Sequence, residues 1–163
     1  MRSIDSSHSL PPRRGYSALR RSRVSEPGRV YFLTFVVRQR EPLFRNTTAA
    51  AVMAEALADH LLAGANRFHA WVVMPDHVHA LVSLSAANSL PVAVARIKSG
   101  SSRRVNVAIG RHGALWAPGY HEHALRADEQ LAYVAEYILM NPVRAGIVAR
   151  LGEYPFAWSE WMP

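Results

Sequence analysis

The sequence predicts an α+β fold, a split βαβ sandwich of ferredoxin type with helices on one face of an antiparallel sheet. Segments rich in β-branched and aromatic residues alternate with segments of helical periodicity, in the order β-α-β-β-α-β followed by a helix. Two of the strand-like segments are separated only by Pro75-Asp76, which indicates a tight antiparallel turn. Because the helices cover one face of such a sheet, the other face is expected to be open to a ligand.

Four segments have the composition that is typical of strands. The first covers residues 29–40 and is expected to lie inside the sheet rather than at its edge. The second and third cover residues 67–74 and 77–84, on either side of the Pro75-Asp76 turn. The fourth covers residues 120–126, where apolar and polar residues alternate. These four segments supply the strands of the predicted sandwich.

Two helices lie between these strands. Asn46-Thr47 offers a start for a helix over residues 48–63, and Gly64 is the expected stop. A second helix over residues 90–105 carries Pro91 in its first turn, a position that tolerates proline. Both segments have an apolar face, which predicts that both helices pack against the sheet.

The last third of the chain is predicted to be mainly helical. A helix begins at Ala127, with Asp128 as its N-cap. Asn141-Pro142 breaks or re-caps this helix, and residues 143–151 are predicted to form a further short helix. The apolar tail at residues 154–158 is expected to pack back on the domain.

Composition restricts the class of protein. A chain of 163 residues, half of them hydrophobic, suggests one domain with a sizeable core. The absence of cysteine excludes disulfides, thiolate metal sites and a cysteine nucleophile. There is no apolar run of about 18 residues, so no membrane span is expected, and residues 1–23 lack the apolar segment of a signal peptide. The net charge of +7 favours a polyanionic partner.

The N-terminal residues 1–28 are rich in arginine, proline and glycine, and are predicted to form a basic arm ahead of one domain over residues 29–163. Either this arm binds a polyanion or it is a solvated, disordered tail, and composition does not separate the two. The arginines that could contact phosphates are Arg13, Arg14, Arg20 and Arg21.

His77 and His79 form a candidate pair of metal ligands directly after the turn. Residues two apart on a strand point to the same face, so the two imidazoles are expected to lie side by side, with Val78 on the opposite face. The alternative is a pair of satisfied polar groups on a half-exposed sheet. His121 and His123 have the same spacing, so the motif is not unique within the chain.

Tyr137 and Asn141 are four residues apart on the last long helix and can face one point together. The amide oxygen of Asn141 is a hard ligand, suited to Mg²⁺ or Mn²⁺. The alternative is that Asn141 is an N-cap followed by a proline at the first helical position, with Tyr133 and Tyr137 at the edge of the core.

Two motifs carry a resemblance to a known family. The segments VVMPDHVHALV and YILMNPVRAGIV resemble those of single-tyrosine HUH transposases, and in particular the REP-associated tyrosine transposases. The segments RVYFLTFVVRQREPLF, LW-x-PGYHEHALR and YPFAWS are also similar to that branch. The resemblance extends over residues 29–158, and the histidine motif followed by Y-x-x-x-N-P at this separation makes it specific.

The resemblance implies an RRM-like variant of the ferredoxin fold with an added C-terminal catalytic helix, and cleavage of single-stranded DNA. It implies that His77, His79 and Asn141 bind Mg²⁺ or Mn²⁺, and that Tyr137 is the nucleophile. Tyr133 is an additional tyrosine that does not match the motif. The implied substrates are hairpins of repetitive extragenic palindromes (REP), in the cytoplasm of a bacterium and associated with the nucleoid.

Further DNA contacts are expected from basic side chains late in the second helix, namely Lys98, Arg103 and Arg104. An exposed lysine without a role is the alternative for Lys98. The sequence leaves open whether the protein is a monomer or a homodimer. The competing functions are a non-catalytic RRM-like nucleic-acid-binding module and a zinc hydrolase.

Overall fold

A five-stranded sheet, antiparallel throughout, forms the centre of the computed structural model, which describes residues 28–59, 63–127 and 129–162. The order of the strands is β4-β1-β3-β2-β5. Their bounds are Val30–Val36 (β1), Arg67–Met74 (β2), His77–Ser83 (β3), His121–Ala124 (β4) and Ala157–Ser159 (β5). The predicted α+β sandwich with an antiparallel sheet is therefore confirmed. The predicted N-cap Asp128 and the arm up to residue 27 lie outside the described residues.

The helices belong to two layers, one on each face of the sheet. Their bounds are Thr47–Ala58 (α1), Leu90–Ala108 (α2), Leu131–Leu139 (α3) and Asn141–Arg144 (α4). Short 3₁₀ helices at Arg38–Arg40 and Leu43–Arg45 connect β1 to α1. No helix in the described ranges combines the length and the apolar character needed to cross a membrane.

The β2–β3 hairpin matches its prediction almost residue for residue. The turn at Pro75-Asp76 is enclosed by the segment after β1, because the backbone N–H of Val37 donates to Asp76 O and that of Phe44 donates to Pro75 O, both at 2.9 Å. β1 lies inside the sheet as predicted, between β4 and β3. It ends at Val36 rather than at Arg40, because the chain turns into the first 3₁₀ helix.

Helix ends differ from prediction more than strand ends do. Asn46 caps α1 as predicted, since its side-chain oxygen accepts from the N–H of Ala49 at 3.1 Å, but the described helix ends at Ala58. α3 begins at Leu131, later than predicted. α4 covers only Asn141–Arg144 instead of residues 143–151. Gly146, with φ +68°, explains this early end, because a glycine in the left-handed region terminates helices.

The larger core lies between the sheet and the first helical layer. Leu33 and Phe35 of β1 are fully buried there and belong to the same apolar cluster as Met53 of α1 and Ile97 of α2. Alternation along β1 places Leu33 and Phe35 on this face of the sheet. It places Phe32, and the residues two positions before and after it, on the opposite face. The core thus fixes which strand residues reach the second face.

The second face of the sheet is only partly open, in contrast to the expectation from the sequence. Ala135 and Ile138 of α3 pack on Val72 and Leu81 and form a separate, smaller core. The apolar tail also packs back, as predicted, and adds β5 as a strand that the sequence did not indicate. The hydroxyl of Tyr154 donates to Val73 O at 2.7 Å and fastens this tail to β2. The remaining open area lies towards the turn end of β3.

The loop before β4 is fastened to α2 by Lys98. Its ammonium group donates to Ala117 O at 2.8 Å and to Gly119 O at 2.6 Å. Burial lowers the pKa of Lys98. Nearby, the Trp116 indole N–H donates to the buried hydroxyl of Ser101 at 3.2 Å. Lys98 therefore has a structural role. The sequence had suggested either a DNA contact or an exposed lysine without a role.

Ile138→Ala should destabilise the protein by about 2–5 kcal/mol, because it leaves a cavity where α3 meets the sheet, whereas Ile138→Val should cost only about 0.5–1.5 kcal/mol. Urea denaturation measures both values. Glu136→Ala, on the exposed side of the same helix, is the control and should change the free energy of unfolding by less than about 0.5 kcal/mol. Equal stability of the two Ile138 variants would show that α3 does not pack as described.

Lys98→Met should lower the free energy of unfolding by about 1–3 kcal/mol, because two loop carbonyls lose their donor while the aliphatic packing is kept. Arg103→Met is the control on the same helix, since Arg103 is exposed, and its stability should be unchanged. Thermal and urea unfolding provide the comparison. Unaltered stability of Lys98→Met together with weaker DNA binding would instead assign Lys98 to a DNA contact.

Candidate functional site

The candidate site lies on the second face of the sheet, at the turn end of β3. His77 and His79 point to this face, while Val78 between them is fully buried on the other, as the alternation predicts. Across the neighbouring strand, Thr34 pairs with His79 and Val36 pairs with His77. The two imidazole rings lie with their centroids 4.7 Å apart and their planes at 73°. Two ring nitrogens can therefore converge on one point.

Polar neighbours hold both imidazoles through the same ring nitrogen. Nδ1 of His79 lies 2.8 Å from the hydroxyl oxygen of Thr34, and Nδ1 of His77 lies 2.6 Å from Asp76 Oδ1. When Nδ1 carries the proton and donates to these oxygens, the lone pair is on Nε2. Such contacts fix the tautomer and orientation of histidines that bind metals. In that tautomer, both Nε2 atoms can act as metal ligands.

The electrostatics of the pair favour neutral His79. Burial, with smaller contributions from the nearby His77 and Arg144, lowers the pKa of His79 to about 3. Its ring is therefore uncharged near neutral pH and can donate a lone pair. Burial alone would raise the pKa of Asp76, but hydrogen bonds and charges from His77 and Arg40 outweigh it and lower that pKa. The carboxylate remains an acceptor for His77.

Tyr137 reaches this site from α3. Phe32 lies between it and the histidines: the ring centroid of Phe32 is 5.2 Å from that of His79 and 6.5 Å from that of Tyr137, in an edge-on arrangement. The guanidinium of Arg144 lies 4.1 Å from the centroid of the Tyr137 ring, and its Nη2 donates to Tyr137 O at 2.7 Å. Tyr133, one turn earlier, is 63% exposed. The structure thus places Tyr137 on the face of the histidine pair, with the ring of Phe32 between it and His79.

Asn141 joins α3 to α4 and turns its side chain back on α3. Nδ2 donates to Ile138 O at 2.8 Å and to Tyr137 O at 3.3 Å, so the amide caps the carbonyl end of α3. The alternative of an N-cap is not found, because Met140 holds that position of α4 and no side chain caps it. Both hydrogen bonds use the nitrogen, and within the described residues none uses the oxygen. Oδ1 can therefore act as a ligand.

The donor set of two imidazoles and an amide oxygen could hold a divalent metal. No cluster of three or more His, Cys, Asp or Glu side chains in the described ranges has the arrangement of a metal site. A metal bound by His77, His79 and Asn141 would thus depend on the amide and on oxygens from water or substrate. This mixture of nitrogen and oxygen donors suits Mn²⁺ and is compatible with Mg²⁺.

Other candidate residues lie away from this point. Arg103 and Arg104 belong to α2, in the helical layer on the opposite face of the sheet, and Arg104 pairs with Asp59 at 2.5 Å. Lys98 faces the loop before β4. His121 and His123 share the face of the histidine pair on β4, where Nε2 of His123 lies 3.0 Å from Glu129 Oε1. The arginines of the arm lie outside the described residues.

Four residues at the site were not singled out from the sequence: Thr34, Arg40, Asp76 and Arg144. Thr34 could have been found from strand alternation, because it is the polar residue at the centre of an otherwise apolar β1. Arg144 lies three residues beyond Asn141, close enough for its side chain to return to Tyr137. Nothing in the sequence around Arg40 indicates its contact with Asp76, which depends on the pairing of β1 with β3.

Comparisons with known proteins bear on the family and the fold of this chain. The family model described as "Transposase IS200 like" matches residues 28–141. The REP-associated tyrosine transposase of Escherichia coli (strain K12) is 30% identical over 90 residues, which are 55% of this chain and 52% of that protein. The chain spans about half the length of the curated relatives it matches.

A solved structure shows the same fold. It is that of a REP-associated tyrosine transposase bound to a REP hairpin, with a TM-score of 0.66 and 24% sequence identity. The alignment covers 91% of this chain and 82% of the other. The family match and the curated relatives confirm the resemblance stated from the two motifs, and the solved structure shows that the fold is shared. On the match over residues 28–141, this chain belongs to the IS200-like transposase family.

Proposed function

We propose that the protein is a metal-dependent endonuclease and strand transferase that acts on single-stranded DNA through a covalent phosphotyrosine. The observation that supports this proposal is that the ring of Tyr137 lies 6.5 Å from that of Phe32, which lies 5.2 Å from that of His79, on the face where His77 and His79 lie side by side. A candidate nucleophile and two imidazoles thus share one face of the sheet, and Asn141 at the start of α4 has an amide oxygen that none of its described hydrogen bonds uses. Family membership supports transposase chemistry in general, and the residues supply the specific assignment.

His77, His79 and Asn141 would hold the divalent metal. When bound, such an ion neutralises a non-bridging oxygen of the phosphodiester and stabilises the charge of the transition state. By accepting from Nδ1, Thr34 and Asp76 would keep the two imidazoles in the tautomer that presents Nε2. Asn141 keeps its amide oriented by donating to the end of α3. The protein thereby arranges its ligands before the substrate binds.

Tyr137 would carry out the covalent step. Its phenol oxygen attacks phosphorus, the bond from phosphorus to the 3′ oxygen breaks, and the leaving oxygen takes a proton to become a free 3′-hydroxyl. The DNA remains attached to Tyr137 through its 5′ phosphate. A later 3′-hydroxyl can attack this phosphotyrosine and rejoin a strand without ATP. Arg144, stacked on the ring, limits the directions in which the phenol can point.

The proposed partner is single-stranded DNA next to a hairpin, as in the REP hairpin bound by the solved relative. The net charge of +7 favours binding to the phosphate backbone. The arm at residues 1–28, with Arg13, Arg14, Arg20 and Arg21, would add phosphate contacts, as would Arg103 and Arg104. DNA binding of this kind would associate the protein with a bacterial nucleoid. Tyr137 lies beside the histidines of its own chain, so a monomer would have a complete site, although a homodimer is compatible with it.

The second candidate function is a non-catalytic nucleic-acid-binding module. The RRM-like arrangement and the basic charge favour it. It leaves the pre-oriented histidines and the adjacent tyrosine without a role. A zinc hydrolase would use the histidines but would not need Tyr137. Formation of a covalent DNA adduct separates the first proposal from both alternatives.

Tyr137→Phe should abolish the adduct and the release of a free 3′-hydroxyl, because it removes only the attacking oxygen and keeps the ring between Phe32 and Arg144. DNA binding should be retained. A denaturing gel with labelled hairpin-bearing single-stranded DNA, followed by mass spectrometry of the linked peptide, provides the measurement. Tyr133→Phe is the matched control and should still form the adduct, since Tyr133 is exposed. Linkage at Tyr133, or undiminished cleavage by Tyr137→Phe, would contradict the assignment.

His77→Ala and His79→Ala should each abolish cleavage and lower the affinity for Mn²⁺ at least tenfold, because each removes one ligand. Calorimetric titration with Mn²⁺ measures this affinity without DNA, and circular dichroism checks that the variants are folded. His121→Ala, on the same face of β4, is the control and should have a milder effect. Wild-type cleavage or Mn²⁺ affinity in His77→Ala would show that the metal binds elsewhere.

A further inference from the structure

A strained turn directly after β1 borders the candidate site. Gln39 and Arg40 have φ values of +58° and +53°, in the left-handed region that favours glycine, although neither is a glycine. Non-glycine residues in this region cost free energy, and two in succession are kept only where the surrounding structure or the function requires them. Burial of the two side chains does not account for these angles, because both side chains are exposed.

The strained backbone directs Arg40 to Asp76, the residue that contacts His77. Its Nη1 donates to Asp76 Oδ2 at 3.2 Å, and the other carboxylate oxygen of Asp76 lies 2.6 Å from His77 Nδ1. The side chain of Arg40 remains 58% exposed. Ion pairs this exposed contribute little to stability. The contact with Asp76 alone therefore does not offset the strain, and most of the guanidinium is directed at solvent.

Arg40 also lines a cleft of about 380 Å³, which has the size of a small-ligand pocket. Val36, Ala117 and Pro118 supply apolar surface, and His121 lies at its edge. Val36 pairs with His77 across β1 and β3, so the cleft opens at the same end of the sheet as the histidine pair. Lys98 holds the wall at residues 117–119 in place. One wall of the cleft is thus fastened to α2, and the cleft lies at the same end of the sheet as the candidate site.

We propose that this cleft is a subsite for one unpaired nucleotide next to the scissile phosphate, and that Arg40 binds the phosphate of that nucleotide. The apolar wall suits the face of a base, and the planar guanidinium suits a phosphate. The strained turn is then kept because it directs Arg40 to the cleft and to Asp76 at the same time. This subsite rests on the proposed function, since it presumes that the histidine pair receives a DNA strand.

The first test distinguishes the effect of the backbone strain from the effect of the Arg40 guanidinium group on DNA binding. Gln39→Gly and Arg40→Gly both relieve one left-handed residue, so both should unfold at the same temperature as the wild type or a higher one. Gln39→Gly should bind DNA as the wild type does, whereas Arg40→Gly should bind at least tenfold more weakly. The probe is a labelled hairpin with a single-stranded flank of mixed sequence, and anisotropy is measured in EDTA so that no metal is required.

Arg96→Ala controls for the loss of one positive charge, because Arg96 is exposed on α2 in the opposite layer. Its affinity for the probe should fall much less than that of Arg40→Gly. Equal affinities of Arg40→Gly and the wild type would overturn the proposal. A lower unfolding temperature of Arg40→Gly would also overturn it, because Arg40 would then be retained for stability.

The second test fills the cleft. Ala117→Phe places a ring in the cleft and leaves intact the backbone carbonyl that Lys98 contacts. It should weaken binding of the probe about tenfold and leave the affinity for Mn²⁺ unchanged. Wild-type binding by this variant would contradict the subsite. Adduct formation by the wild-type protein tests the proposed function separately, and the absence of an adduct would contradict that function. If the wild type forms the adduct but Arg40→Gly and Ala117→Phe both bind DNA fully, only the subsite is overturned.

Discussion

The packing of α3 on the second face of the sheet brings the two halves of the candidate site together. Ala135 and Ile138 are buried against Val72 and Leu81, and this packing fixes the rotation of α3 about its own axis. Tyr137, adjacent to Ile138, is then directed at Phe32 and through it at His79. Apolar contacts stabilise this packing, since burial of a side chain such as Ile138, Val72 or Leu81 contributes about 1.5–3 kcal/mol. The chemistry thus depends on a small core separate from the main one.

A second constraint acts on the ligands themselves. Thr34 and Asp76 each contact Nδ1 of one histidine, and burial keeps His79 neutral by lowering its pKa. Asn141 uses its amide nitrogen to cap α3, which leaves the oxygen available. Each ligand is therefore oriented by a neighbour that would not itself bind the metal. Arrangements of this kind keep a site close to its working geometry before metal and substrate arrive.

The sequence was informative where local geometry decides the structure. The β2–β3 hairpin follows from two apolar runs around Pro75-Asp76, and the shared face of His77 and His79 follows from strand alternation. The i, i+4 spacing predicted Tyr137 and Asn141 on one side of a single helix, whereas the structure places Asn141 at the start of α4, with its amide donating to Tyr137 O. The resemblance in the two motifs was confirmed by the family match, while the roles of these residues remain predictions.

Features that depend on distant contacts were not predictable. β5 exists because three residues of the tail pair with β2, and a segment that short has no strand signal of its own. α3 covers part of the second face through tertiary packing, which the sequence does not indicate. For this reason the second face was expected to be more open than it is. The left-handed turn at Gln39 and Arg40 contradicts local propensity, and the sequence therefore suggested a longer β1. Such local conflicts are expected at functional sites.

The central claim is that one metal ion and one tyrosine lie together at the turn end of β3, where the strand begins. A crystal of the Tyr137→Phe variant soaked with Mn²⁺ and bound to uncleaved hairpin DNA would test it through anomalous scattering from manganese. The account predicts one strong anomalous peak bonded to Nε2 of His77, Nε2 of His79 and Oδ1 of Asn141, with the substituted ring at position 137 facing the scissile phosphate. A peak at His121 and His123, or a scissile phosphate remote from position 137, would contradict it.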